Sequence, residues 1–250
     1  MRTVRATRYV TPLREGGSMP GLVEADDDGL YVLKFHGAAQ GPLVLVAELI
    51  CGLVGQAIGL HIPELVFVEL DPRLGAAEPD AEVRDLIERS GGMNLGFDFL
   101  PGALPFRPGV GPAPDADLAA SIVWFDALMT NIDRTMRNTN ILVWHDRDWL
   151  IDHGAALYIQ YTWRDPAAHA RRPFEQLKDH VLLPYASSLA GADARLAPLV
   201  TEDLLRAVLA QIPDDWLAHA AGGRDAYVEY LQARLAPPRP FIPEVDRVHA

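Results

Sequence analysis

The chain of 250 residues is 49% hydrophobic and 22% charged, enough apolar material for one large domain or two packed lobes. Its net charge of −12, from 34 acidic against 22 basic residues, argues against a general nucleic-acid surface, because phosphate contacts need clustered Lys and Arg. No run of about eighteen uncharged apolar residues occurs, the start MRTVR lacks the apolar stretch of a signal peptide, and the single cysteine, Cys51, supplies neither a disulfide framework nor a cysteine-rich zinc site, so a cytoplasmic location without a membrane partner is expected.

Residues 3–70 read as strand, strand, strand, helix, strand: strands over 3–13, 21–25 and 29–36, a helix over 43–58, and a strand over 64–70. In Tyr31-Val32-Leu33-Lys34-Phe35, alternation places Tyr31, Leu33 and Phe35 on one face and Val32 and Lys34 on the other. The stretch Glu15-Gly16-Gly17-Ser18-Met19-Pro20-Gly21 between the first two strands is rich in residues that let backbone amides approach a ligand or that merely turn the chain. Residues 71–92 read as a surface excursion with one short helix, and 93–100 as a returning strand. The Pro- and Gly-rich segment 101–114 marks a boundary between two parts of the chain.

A helix over 115–132 is signalled by Leu118, Ile122, Phe125 and Met129 at helical spacing. Strands over 140–144 and 148–152 then form a hairpin around His145-Asp146-Arg147. Beyond Tyr161 the chain reads as mostly helical, notably over 201–211 and 224–235, and the tail PPRPFIPEVDRVHA resists regular structure.

Chemistry concentrates in Asn131-Ile132-Asp133-Arg134-Thr135-Met136-Arg137-Asn138, which follows a helix and leads through the hairpin to Asp152-His153-Gly154. Phosphoryl transfer needs a carboxylate at the attacking hydroxyl, oxygen ligands for a divalent metal, and a cation on the phosphates. Asp133 can accept the hydroxyl proton, while Asn138, five residues on, and Asp152 can present oxygens to hard Mg²⁺. Glu48 is the only acid in the run LVLVAELICGLVGQAIGL, and a charge on a helix that apolar is costly to bury unless paired. Arg134 and Arg137 read either as supports for the loop or as surface charge. His145, His153, His169 and His180 match no zinc spacing.

The segment D-R-T-M-R-N is similar to the D-R-H-x-x-N catalytic loop of HipA-like and phosphoinositide kinases, and the chain resembles the HipA-like kinase domains most. The resemblance implies a two-lobed, protein-kinase-like α+β fold with a small strand-rich lobe over 1–100, a linker over 101–114, a larger helical lobe over 115–236 and a Pro-rich tail over 237–250. It implies ATP and Mg²⁺ as cofactors, with Asp133 and Lys34 as the catalytic pair and Asn138 and Asp152 on the metal. Lys34 would contact the phosphates with Glu48 as its helix partner, and Val32 would cover the adenine. Gly16, Gly17 and Ser18 would lie in the phosphate-covering loop, and Phe97 and Phe99 in the segment joining the lobes. The implied acceptor is a hydroxyl, of protein Ser/Thr or a small molecule, with an antitoxin-like protein as a further partner. Three departures stand out: Thr135 replaces the family's histidine, Asp152 is followed by His-Gly rather than Phe-Gly, and the glycine loop lacks the G-x-G-x-x-G spacing. A nucleotide-binding module without turnover, an interaction protein without nucleotide, and a metal-dependent hydrolase are the rival readings.

Overall fold

The computed structural model describes residues 1–13, 19–218 and 220–242. Strand β1 (Thr3–Pro12), β2 (Gly21–Ala25) and β3 (Leu30–Lys34) precede helix α1 (Leu43–Ala57), after which β4 (Leu65–Leu70) and β5 (Gly92–Asp98) complete a closed barrel in the order β1-β2-β3-β5-β4. Neighbours are antiparallel except β1 and β4. The alternation read from the sequence holds: Tyr31, Leu33 and Phe35 fill the barrel with Val23, Val66 and Val68, whereas Val32 packs toward α1 and Lys34 emerges on that same face. Closure leaves the barrel without a free edge among the described residues.

Residues 71–92 do more than the surface excursion expected of them. A 3₁₀ turn at Pro72–Ala77 leads to helix α2 (Ala81–Arg89), whose Val83, Leu86 and Ile87 belong to the barrel core. The 101–114 segment also differs from a plain linker, because β6 (Leu104–Pro105) pairs with the expected hairpin, β7 (Ile141–Trp144) and β8 (Arg147–Leu150). His145 and Asp146, with φ of 47° and 58°, make the two-residue turn of that hairpin.

Helix α3 (Ala116–Met129) is buried almost all round, as expected for a helix apolar on every face. It shares one large core with α1 and with the later helices α4 (Pro166–Ala170), α5 (Leu189–Leu196), α6 (Glu202–Leu209), α7 (Asp214–Leu217) and α8 (Gly223–Leu235). Both expected C-terminal helices are present as α6 and α8, while α4, α5 and α7 lack a long periodic pattern in the sequence. The tail is partly ordered: Phe241 is fully buried, edge-on to Trp124 at 6.3 Å. No helix among the described residues is long and apolar enough to cross a membrane.

Candidate active site

Lys34 stands at the end of β3, and its strand parity sends the side chain out of the barrel toward α1. There Nζ donates to Glu48 Oε1 on α1 and to Asp152 Oδ1 beyond the hairpin. The second oxygen, Glu48 Oε2, accepts the His153 N–H at 2.9 Å, so one buried carboxylate ties α1 to both the barrel lysine and the Asp152 segment. The pairing expected from the lone acid of an apolar helix is therefore present.

Close approach is required for this bridge. A Cβ on Gly154 would stand 2.7 Å from Val44 Cγ1 and 3.2 Å from Glu48 Oε1, so the residue after His153 has no room for a side chain beside α1. Burial pushes Glu48 up to about 7, with Asp152 adding to the rise and Lys34 opposing it. For Lys34, burial favours the neutral amine, but the two carboxylates outweigh it and hold the ammonium. Burial likewise raises Asp152, and the Lys34 charge more than reverses this, leaving it below the usual carboxylate range.

The loop after α3 carries the second group. Helix α3 ends at Thr130 in the left-handed region, with φ of 54°, and the same unfavourable conformation recurs at Asn140 (49°) and Asp152 (55°). Asp133 Oδ2 accepts from Asn138 Nδ2 at 2.7 Å and from Asn140 Nδ2 at 3.4 Å. That amide orientation leaves Asn138 Oδ1 free for a further ligand. Asn140 Nδ2 also lies 3.5 Å from the Asp152 carbonyl, linking the catalytic candidate Asp133 to the metal candidate Asp152. Asn138 is exposed and Asp133 partly so, while the Asp152 side chain keeps 34% of its surface open.

Beneath the loop lies a buried polar network that sequence reasoning missed. Arg134 is 1% exposed, against the alternative of surface charge. It donates to Asp126 on α3, to the Asn140 and Ile151 carbonyls, and to His153 Nδ1 at 3.2 Å. His180 Nδ1 accepts the Leu182 N–H at 3.0 Å, so its proton sits on Nε2, 2.9 Å from Asp126 Oδ2. Asp126 is raised by burial but pulled far below the carboxylate range by Arg134 and His180, whereas burial and Arg134 press His153 down to about 3. His153 is thus neutral, accepting at Nδ1. Asp126 had a signal in the sequence, an acid inside SIVWFDALM, identical in kind to that of Glu48. His180 stood in the sequence only among histidines without zinc spacing, with no sign of this role.

Thr135 holds the loop's shape, its N–H donating to the Asn138 carbonyl at 2.9 Å and its backbone bridging to His180. Support for the loop therefore comes from Arg134 and His180 together with the backbone of Thr135. Arg137 is exposed.

Of the remaining candidates, Val32 lies opposite Phe97 in the β3–β5 ladder, and the Phe97 ring sits 6.0 Å from Lys34 Nζ. The Phe99 N–H is engaged by the Leu30 carbonyl, so Phe99 offers a side chain rather than a free amide. Gly16, Gly17 and Ser18 lie outside the described residues, in the connection closed by the Leu13 N–H to Pro20 carbonyl bond at 2.7 Å. Among the described residues no three His, Cys, Asp or Glu side chains converge as a metal cluster.

The fold is similar to that of the proinflammatory kinase CtkA of Helicobacter pylori, at a TM-score of 0.55 and 11% identity over 99% of each chain. It is also similar to the Golgi casein kinase, at a TM-score of 0.51 and 13% identity over 98% of this chain and 73% of that one. Both likenesses are of fold, and both of those proteins are kinases. The sequence pattern of HipA-like kinases matches residues 7–236, and the chain belongs to that family. No curated protein sequence matches it.

Proposed function

We propose that the chain transfers the γ-phosphoryl group of ATP, with Mg²⁺, to a hydroxyl acceptor, in a cleft between a strand-rich lobe ending near residue 100 and a helical lobe beyond the 101–114 segment. The observation that carries this reading is the sharing of Lys34 between Glu48 and Asp152, with Asp133 reached from Asp152 through Asn140.

The residues present fit the nucleotide and its metal. Asp152 and Asn138 are oxygen donors with open faces, as Mg²⁺ prefers, and bound metal would supply charge neutralisation on the β- and γ-phosphates. Lys34 keeps its charge against burial and, oriented by Glu48, directs it at the α- and β-phosphates. Asp133, steadied by Asn138 and Asn140, takes the acceptor proton. Val32 and Phe97 provide the apolar surface for adenine. The family supports a protein Ser or Thr as acceptor, with a small-molecule hydroxyl as the other class and an antitoxin-like protein as a further partner, in the cytoplasm.

Thermal unfolding with and without Mg·ATP tests the site. A ligand that binds only the native state stabilises it by about 2.7 kcal/mol at a hundredfold excess over its dissociation constant. Wild type is expected to show a metal-dependent rise that Lys34→Ala and Asp152→Ala lose. Asp133→Asn is expected to keep the rise and lose turnover by roughly 10²-fold or more, followed with γ-labelled ATP. Retained turnover in Asp133→Asn refutes the catalytic assignment, and a rise without turnover in wild type leaves a nucleotide-binding module.

A further inference from the structure

A cavity of about 360 Å³ opens where the C-terminal end of α3, the Tyr158–Tyr161 turn, α4 and α8 meet. It adjoins a second of about 400 Å³, the two sharing Tyr158, His169 and Arg172. Neither is lined by Lys34, Glu48, Asp133, Asn138 or Asp152, and each volume is in the range of small-molecule sites.

Its charge is unusual for a chain of net −12. Arg234, 1% exposed, lines the first cavity without a carboxylate partner among the described residues. Its guanidinium donates to the α3 carbonyls of Leu128 at 2.9 Å and Ala127 at 2.7 Å, and more weakly to Ala170 at 3.4 Å, with the Tyr230 hydroxyl beside it and the Phe241 ring 5.1 Å away, neutral partners all. Carbonyls at a helix C-terminus answer only part of a full charge. A buried cation so placed is costly without a counter-ion. Arg172 at the shared rim and Arg164 in the second cavity form no ion pair among the described residues either.

Two acids also line the cavities, against the three arginines Arg164, Arg172 and Arg234. Asp165 Oδ1 is spent on the N-terminus of α4, accepting the Ala168 N–H at 3.2 Å, and Glu175 is exposed at the edge. His169 reports the local sign: beyond burial, the charges that lower its pKa are Arg234 and Arg172, with no carboxylate contribution among the causes. Its Nδ1 meets the Tyr230 hydroxyl at 3.0 Å, which leaves Nε2 for a ligand. The buried Thr130 hydroxyl, also on the lining, makes no well-formed hydrogen bond.

We propose that this cavity is a second ligand site, separate from the nucleotide cleft, that takes a phosphate monoester. Arg172 and Arg234 supply the charge, and His169 Nε2 and the Thr130 hydroxyl supply hydrogen bonds. A bare phosphate would leave most of the space empty, so the ester's carbon skeleton occupies the remainder against Tyr158. The site touches Thr130, three residues before Asp133, and Tyr158, six after Asp152.

The test is thermal unfolding in sodium phosphate, glucose 6-phosphate and a phosphoserine peptide, each against sodium chloride of equal ionic strength. It is run on the full chain and on Lys34→Ala, which removes phosphate binding at the nucleotide cleft. Both proteins are expected to gain in melting temperature with at least one of the esters. Arg172→Glu, at an exposed position, should weaken binding tenfold or more, and His169→Ala should weaken it independently from the neighbouring helix. Tighter binding of the peptide identifies a phosphorylated side chain as the source, and tighter binding of the sugar phosphate a free metabolite. No shift in the full chain, or equal shifts in the full chain, Arg172→Glu and His169→Ala, overturns the proposal.

Discussion

Glu48 and Asp126 are each an acid embedded in an apolar helix, yet they meet burial with different protonation. Glu48 shares Lys34 with a second carboxylate, so its ionised form lacks a full counter-charge and its pKa climbs to about 7. Asp126 has the Arg134 guanidinium and the His180 N–H to itself and stays ionised. Asp126→Asn should therefore strand the buried Arg134 charge and cost about 3–5 kcal/mol of stability in urea unfolding. Glu48→Gln should cost less than half as much, because neutral glutamate is already well populated at pH 7, while activity falls as Lys34 loses its orientation. Equal losses of stability would contradict the difference in their surroundings.

At the scale of elements, legibility followed periodicity. The β3 alternation, the α1 and α3 runs and the β7–β8 hairpin were readable because each repeats a two- or 3.6-residue period long enough to register. The 158–185 stretch was not, since its turns at Tyr158–Tyr161, Glu175–Asp179 and Leu183–Tyr185 and the five-residue α4 are shorter than any such period. The Ser188 side chain capping the Gly191 N–H of α5 was a local signal that went unused. In the site, Lys34, Glu48, Asp133, Asn138 and Asp152 were visible as residue types at family spacing, whereas Arg134, Asn140 and His180 acquire their roles only through contacts across the fold. Gly154 belongs to both groups: its place after Asp152-His153 was plain, its reason was not. Gly154→Ala should push α1 away from the Asp152 segment, costing about 1–3 kcal/mol and lowering affinity for Mg·ATP in the same thermal assay. An alanine variant with unchanged stability and nucleotide binding would show that α1 yields freely there.

Across the whole molecule, the buried groups give stability a defined dependence on pH in the absence of nucleotide and metal. His153, at about 3, and His180, lowered by burial against the pull of Asp126, are neutral in the fold and titrate near 6.5 when unfolded. Each therefore contributes stability that is present above 6.5 and lost as pH falls below it. Glu48 runs the other way: with its folded value raised to about 7 from 4.5, its contribution is full below 4.5 and disappears as pH rises through 7. Between about 4.5 and 6.5 the unfolded chain binds protons at His153, His169 and His180, each lowered in the fold, while the fold holds one at Glu48. Stability should then fall toward acid in that range, by roughly 1.4 kcal/mol per pH unit for each net proton taken up on unfolding. Below about 4 the depressed Asp126 and Asp152 join the histidines and the slope steepens. Urea unfolding at half-unit steps from pH 7.5 to 4 measures this directly. His180→Asn, which removes one of these histidines, should make the fall between 6.5 and 4.5 shallower and start it from a lower plateau. An unchanged slope in that variant would mean that His180 keeps its charge inside the fold and that the Asp126–Arg134 pair is a charged triad.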